Sequence, residues 1–300
     1  MLHENWLLPE GYPTGEAAYT LPQLQAALDG EQVLRAQVMR CDSHRQLTVR
    51  LGGFTGYIPP GEAVAPFLSG AQRDIAVLSC VGRQICCVLT GLRTAPNGDT
   101  ELLLSRRLAQ EKAMDVLEQR LQPGDILRAQ VTHLAPFGAF VDVGCGLISL
   151  LPLATISVSR SRHSAQRFAR GQHIRVRLLR LDREQRRLYL SHRELLGSWL
   201  ENAADFRVGD TVPGIVRGST DYGVFVELRP NLVGLADRPA APPPEGEAVS
   251  VYIRSIQSQS HKLKLQLVQQ LGPAAFPTPL RYYVIGDHLE SWSYYAADAQ

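Results

Sequence analysis

Three glycine–acidic pairs, Gly30-Glu31, Gly124-Asp125 and Gly209-Asp210, each open an alternating strand in this 300-residue chain. Each unit is closed by a basic-tinged strand. The middle copy begins GDILRAQVTHLAPFGAFVDVGCGLISLLP and ends RVRLLRLDREQRRLYLSHR. The third begins GDTVPGIVRGSTDYGVFVELRPNLVGLAD and ends VYIRSIQSQSHKLKLQL. A repeat made only of short strands is an all-β module, and repetition presents one surface several times. The spacing predicts three small barrels in tandem. Two of them carry an aromatic pair on that surface, FGAF and YGVF.

Alternation assigns the faces. In repeat two the pattern predicts strands over 126–131, 139–143, 147–151, 174–181 and 187–191. Val141 and Val143 point to the core, and Phe140 and Asp142 point out. Gly138 falls in the tight connection, where a missing side chain relieves the backbone. In repeat three Tyr222, Gly223 and Phe225 match Phe137, Gly138 and Phe140. Repeat one, with DSHRQLTVRLGG at this place, has neither aromatic and carries an extra residue before Gly52.

Helical connections separate the repeats. Thr20 caps a short helix over 21–28 with Pro22 in its first turn. LAQEKAMDVLEQR predicts a linker helix over 108–120 whose buried side holds Leu108, Met114, Leu117 and Leu121. A less regular linker, interrupted by Gly197, follows repeat two. The expected organisation is an N-terminal extension (1–29), repeat one (30–107), a linker helix (108–121), repeat two (122–194), a linker (195–206), repeat three (207–270) and an aromatic tail (271–300).

The net charge of +2 hides an asymmetry. Between Gln122 and Arg193 there are twelve arginines and no lysine against four acids, while the first 28 residues carry acids only. A polyanion would be drawn to the centre. Arginine also stacks and forks onto phosphate better than lysine. Single-stranded RNA exposes base faces and phosphates together, so aromatics beside guanidinium groups suit it. Phe137 and Phe140 supply the aromatics. Arg175, Arg177, Arg180, Arg183, Arg186 and Arg187 supply charge, and the connection SRSRHSAQRFARG adds Arg160, Arg162, His163, Arg167 and Arg170. Arg175 and Arg177 alternate with Val176 and Leu178, which predicts a basic side facing solvent. Asp182 either orients an arginine, accepts from a base, or caps a turn.

Other chemistries lack their residues. Asp142 and Asp182 do not form a catalytic pair, His163 and His173 lack ligand spacing, and phosphate-loop and nucleophile-elbow motifs are missing. The chain therefore reads as a binding protein, not an enzyme, with no cofactor and no metal. Five cysteines, odd in number and without zinc spacing, suggest reduced thiols. With no leader-like start and no apolar run of membrane-spanning length, the expected location is the cytoplasm.

Over roughly residues 30–270 the chain resembles the bacterial small-subunit ribosomal protein S-one family. The likeness is strongest in GDILRAQVTHLAPFGAFVDVG and LDREQRRLYLSHR, moderate in GDTVPGIVRGSTDYGVFVEL, and weakest in repeat one. The resemblance implies three tandem five-stranded OB-fold barrels joined by short helical linkers, repeat one divergent. It assigns RNA contacts to Phe137, Phe140, Asp182 and Arg187 in repeat two, and to Tyr222, Phe225 and Lys262 in repeat three. The family's third-strand histidine is replaced by Ser149 and Gly234, and its last-turn Asp by Gln257 in repeat three. The implied function is non-catalytic binding of single-stranded RNA or mRNA at the small ribosomal subunit, with repeat one structural or docking a protein partner. A regulatory RNA-binding protein acting away from the ribosome and a pure protein scaffold are the alternatives. In the tail, Tyr283, Ile285, Leu289 and Trp292 could pack on a barrel, or Tyr282, Trp292, Tyr294 and Tyr295 could stack on bases or a partner.

Overall fold

A computed structural model describes residues 7–12, 18–68 and 77–295. Helix α1 (Leu21–Asp29) starts where the sequence places it, with the Thr20 N–H donating to Gln23 Oε1 at 2.8 Å in a capping box. Repeat one follows as β1 (Val33–Cys41), β2 (Leu47–Leu51), β3 (Phe54–Ile58), β4 (Gln84–Thr94) and β5 (Thr100–Ser105). They close a barrel in the order β1-β2-β3-β5-β4, sealed by parallel pairing of β3 with β5.

Helix α2 (Arg106–Arg120) is capped by Ser105, whose hydroxyl accepts from the Leu108 N–H. Its buried face is Ala109, Gln110, Ala113, Met114 and Leu117, and this face joins the core of repeat two together with Cys86 and Val88 of β4. Repeats one and two thus share an apolar junction.

Repeat two comprises β6 (Ile126–Ala135), β7 (Gly138–Asp142), β8 (Ile148–Pro152), β9 (His173–Asp182) and β10 (Arg187–Ser191), in the order β10-β9-β6-β7-β8. Its barrel is imperfectly closed. Where β8 meets β10, the seam is spanned at the end of β10 by the His192 N–H and Ser191 Oγ, both donating to the Thr155 carbonyl at 2.9 and 3.2 Å. Helix α3 (Trp199–Ala203), capped by Ser198 and Glu201, leads into repeat three. That barrel is closed and contains β11 (Thr211–Thr220), β12 (Gly223–Arg229), β13 (Leu232–Ala236), β14 (Glu247–Gln257) and β15 (Lys262–Pro273). Among the described residues no helix is long and apolar enough to cross a membrane.

All three repeats share one register. Val38↔Val49, Val131↔Val141 and Val216↔Val226 are equivalent pairs, and all six valines are buried. Each is followed by the same irregularity, which sets Arg40 opposite Thr48, His133 opposite Phe140 and Gly218 opposite Phe225. The glycine of FGAF and YGVF is needed for close approach, not for an unusual φ. A Cβ at Gly138 would collide with the Leu151 carbonyl, and one at Gly223 would lie 2.6 Å from the Ala236 carbonyl oxygen.

Two expectations about solvent-facing charge are overturned. Asp142 does sit on the outer side of its strand, in phase with Phe140, yet it is buried. The N-terminal segment lies over it: the Glu10 N–H donates to Asp142 Oδ2 at 2.7 Å, and the Gly144 and Gly146 N–H groups donate to Oδ1 at 2.8 and 3.1 Å. Glu10 in turn grips Arg106 with both oxygens, at 2.8 and 2.7 Å. Arg167 is the second case. Its side chain is wholly buried, donating to Glu227 Oε1 and Oε2 at 2.6 and 2.7 Å across the junction of repeats two and three.

Candidate nucleic-acid interface

The shared register places a row of outward side chains across each barrel. In repeat two the row runs from His133 on β6 through Phe140 on β7 to Leu150 on β8. In repeat three it runs from Gly218 through Phe225 and Leu235 to Lys264 on β15. Phe137 and Tyr222 stand at the turn beside the row, 60% and 69% exposed. Each meets the neighbouring phenylalanine edge-on: both ring pairs have centroids 6.1 Å apart at 89°. An exposed ring set edge-on to a half-buried one is thereby presented in the same geometry by two repeats. Such a platform accepts base faces irrespective of sequence.

The sequence-identified residues of repeat two divide into two groups. Phe137 and Phe140 meet edge-on at the start of β7, and Asp182 and Arg187 lie where β9 turns into β10. Asp182 and Arg187 pair across β9 and β10, with Arg180 opposite Tyr189 beside them. Arg180 lies 4.1 Å above the Tyr189 ring and 3.7 Å from Asp182, whose Oδ1 also accepts the Gln185 N–H at 3.0 Å. Asp182 therefore both caps its turn and orients an arginine. Arg187 is exposed. The motif reading missed His133, 6.0 Å from the Phe140 ring, and the Arg180–Tyr189 stack. Alternation puts Tyr189 outside, but it would set Arg180 in phase with buried Val176 and Leu178. The irregularity in the β9–β10 pairing after Leu178 turns Arg180 outward and over the Tyr189 ring.

Arg175 and Arg177 form the other group. The basic side of β9 does not face open solvent, because residues 282–290 fold back along it. Arg175 donates to the carbonyls of Val284, Ile285 and Gly286, and Arg177 to those of Leu289 and Glu290 at 2.9 Å. The segment is pinned on both sides: the Ile126 N–H donates to the Asp287 carbonyl and the Leu289 N–H to the Gly124 carbonyl, each at 2.8 Å. Tyr282 hydrogen-bonds buried His192, and Tyr294 donates to the Asn231 carbonyl at 2.8 Å. Burial holds the His192 imidazole down, at about 4, so it is neutral at physiological pH. The tail packs, although Ile285 points outward, 89% exposed.

Several remaining arginines are also engaged within the fold. Arg183 donates to the Glu118 carbonyl at 3.2 Å, Arg186 pairs with Asp115 and Glu118 of α2, and Arg162 pairs with Glu245 at 2.6 Å. Arg128, Arg160 and Arg170 are exposed. In repeat three Lys262 is exposed opposite Gln257. Gly234, at the place of the family's histidine, has no room for a side chain, because a Cβ there would lie 2.5 Å from Leu265 Cδ1. Among the described residues no cluster of His, Cys, Asp and Glu could hold a metal ion.

The five-stranded barrel of repeat two, with an aromatic pair at the start of its second strand and an acid–base pair at its last turn, is of the S1-type OB-fold class. Residues 120–193 match the S1 RNA binding domain model. The chain is homologous to the bS1 small ribosomal subunit protein family. It is 30% identical over 236 residues to small ribosomal subunit protein bS1 of Leuconostoc lactis, covering 74% of this chain and 53% of that one. It is 27% identical over 259 residues to bS1 of Staphylococcus aureus (strain N315), covering 81% and 63%. The chain thus spans only about half to three-fifths of these relatives' length. A solved multidomain protein with nucleic acid binding domains from Streptococcus pneumoniae aligns over 81% of this chain and 75% of its own, with 15% identity and a TM-score of 0.25.

Proposed function

We propose that this chain is a non-catalytic protein that binds single-stranded RNA or mRNA in the cytoplasm and acts with the small ribosomal subunit in translation. One observation carries the RNA reading: the same edge-on aromatic pair recurs at the same register in two barrels. The homology to bS1 supports the ribosomal setting. Phe137 and Phe140, flanked by His133 and by Arg180 and Arg187, take bases and phosphates in repeat two, with Asp182 setting the arginine. Tyr222, Phe225 and Lys262 do the same in repeat three with less charge. Arg175 and Arg177 reach RNA only if the C-terminal segment lifts away. Repeat one holds the array in place through α2 and takes any protein contact with the subunit.

The test is titration of the whole chain with an unstructured labelled oligonucleotide, alongside sedimentation of cell extract. Salt-sensitive binding that Phe140→Ala weakens, together with co-sedimentation with small subunits, is the expected result. RNA binding without co-sedimentation would move the protein away from the ribosome. No RNA binding with intact co-sedimentation would make it a protein scaffold.

A further inference from the structure

Repeat one lacks the aromatic pair, and its equivalent positions hold Arg45 and Thr48. The row itself, however, is not empty. It reads Arg40 on β1, Thr48 on β2, Tyr57 on β3 and Leu103 on β5. Where repeats two and three carry Leu150 and Leu235, repeat one carries a tyrosine. The aromatic has moved one strand along the same row.

Its surroundings match the arginine-on-tyrosine stack of repeat two. The Arg93 guanidinium lies 5.1 Å from the Tyr57 ring centroid, as Arg180 lies over Tyr189. Arg93 pairs with Glu101 across β4 and β5 at the position where β9 and β10 pair Asp182 with Arg187, so the acid–base pair is present with its ends exchanged. Glu101 takes the Arg93 Nε–H at 2.7 Å and the Tyr57 hydroxyl at 3.1 Å. It holds the guanidinium by one edge and leaves the side chain half exposed. Arg40 stands exposed at the β1 end of the same row, opposite Thr48, which pairs in turn with Tyr57. A nucleobase stacks on a guanidinium plane as it does on an aromatic ring, and Arg40 adds a cation for phosphate.

We infer that repeat one is a third contact for single-stranded RNA, made by the Arg93–Tyr57 stack with Arg40 in place of the aromatic pair. This rests on the RNA reading of repeats two and three and extends it to a strand tracking all three barrels. At ~4–16 nucleotides per barrel, the third contact is felt by an oligonucleotide of about 30 nucleotides and not by one of about 8.

The full chain is titrated with unstructured RNAs of both lengths, for the wild type, Phe140→Ala, Tyr57→Leu with Arg93→Gln, and Tyr57→Phe. Leucine is the residue that the other two barrels hold at this position, so the fold accommodates it, and thermal melting checks this. The double variant is expected to lose roughly 5- to 150-fold in affinity for the long RNA, the range of one stacked base. Its binding of the short RNA should stay unchanged. Tyr57→Phe keeps the ring and should bind like the wild type. If the wild type binds and Phe140→Ala weakens it, while the double variant binds long RNA normally, repeat one is not an RNA contact. If the double variant instead detaches the protein from small subunits at unchanged RNA affinity, the stack is a protein-docking surface and the inference fails. If the wild type binds neither RNA, the underlying RNA reading fails with it.

Discussion

Repeats two and three have one register and one aromatic pair, yet nearly every other outward position differs. His133 corresponds to Gly218, Tyr189 to Lys264, and the Asp182–Arg187 pair to Gln257–Lys262. The inward valines at 131, 141, 216 and 226 are all buried and keep the barrel. The outer row is free to diverge because the core does not depend on it. The two barrels' outer faces therefore differ in a handful of exposed side chains while sharing one core.

The most informative difference lies at one equivalent position, Asp142 in repeat two and Glu227 in repeat three. Both carboxylates are buried at a junction, and each is part of an arginine network. Their charge ratios are opposite. Asp142 and Glu10 share Arg106, two acids to one base. Glu227 alone binds Arg167 and also Arg217, whose Nε and Nη2 donate at 2.7 and 3.0 Å. Burial favours the neutral form of Asp142, the Glu10 charge adds to it, and together they push its carboxyl upward against the N–H donors and Arg106. For Glu227 burial pushes the same way, but hydrogen bonds and charge from Arg167, then Arg217, outweigh it and hold the carboxyl down at about 2.

The largest expected effect separates these two junctions. Glu227→Gln leaves two buried guanidiniums without a counter-charge and should cost ~3–5 kcal/mol, read as the loss of stability in urea melts. Asp142→Asn removes a charge from a site already short of cations and should cost clearly less. Equal losses would break the distinction.

Next in size is RNA binding. Phe140→Ala should weaken binding by ~1–3 kcal/mol with little change in melting temperature. Phe225→Ala should fall at the low end of that range, since fewer cations flank it. A larger loss from Phe225→Ala would reverse the ranking of the two barrels.

Acidification tests the same pair of junctions by titration. The folded-state pKa of Glu227 lies below its ordinary 4.5, so its contribution is complete above that pH and is lost as pH falls towards about 2. Asp142 is shifted upward from 3.8, so its contribution is complete below that pH and is lost as pH rises through the folded-state value. Urea midpoints from pH 7 to 3 should drop at the acid end in the wild type, and this acid drop should shrink in Glu227→Gln.

The smallest effect concerns single cations. Arg187→Gln should reduce the slope of log affinity against log salt by about 0.7, the value of one phosphate contact on a single strand. Arg177→Gln should leave the slope unchanged, because its guanidinium is bound to tail carbonyls. An equal change from both would mean that the tail gives way to RNA.

Strand phase determined the repeats, the inward valines and the outward Phe140, since a period of two needs only local sequence. The FGAF and YGVF spacing likewise located Phe137 and Tyr222. Periodicity says which side of a strand faces away from its own barrel, but not what a neighbouring segment lays over that side. Asp142 under Glu10, Arg167 between two barrels and Arg175 and Arg177 beneath the tail were therefore decided by tertiary structure alone. The Arg93–Tyr57 and Arg180–Tyr189 stacks add a second reason. Their partners come from different strands, and only the pairing of those strands brings a guanidinium over a ring.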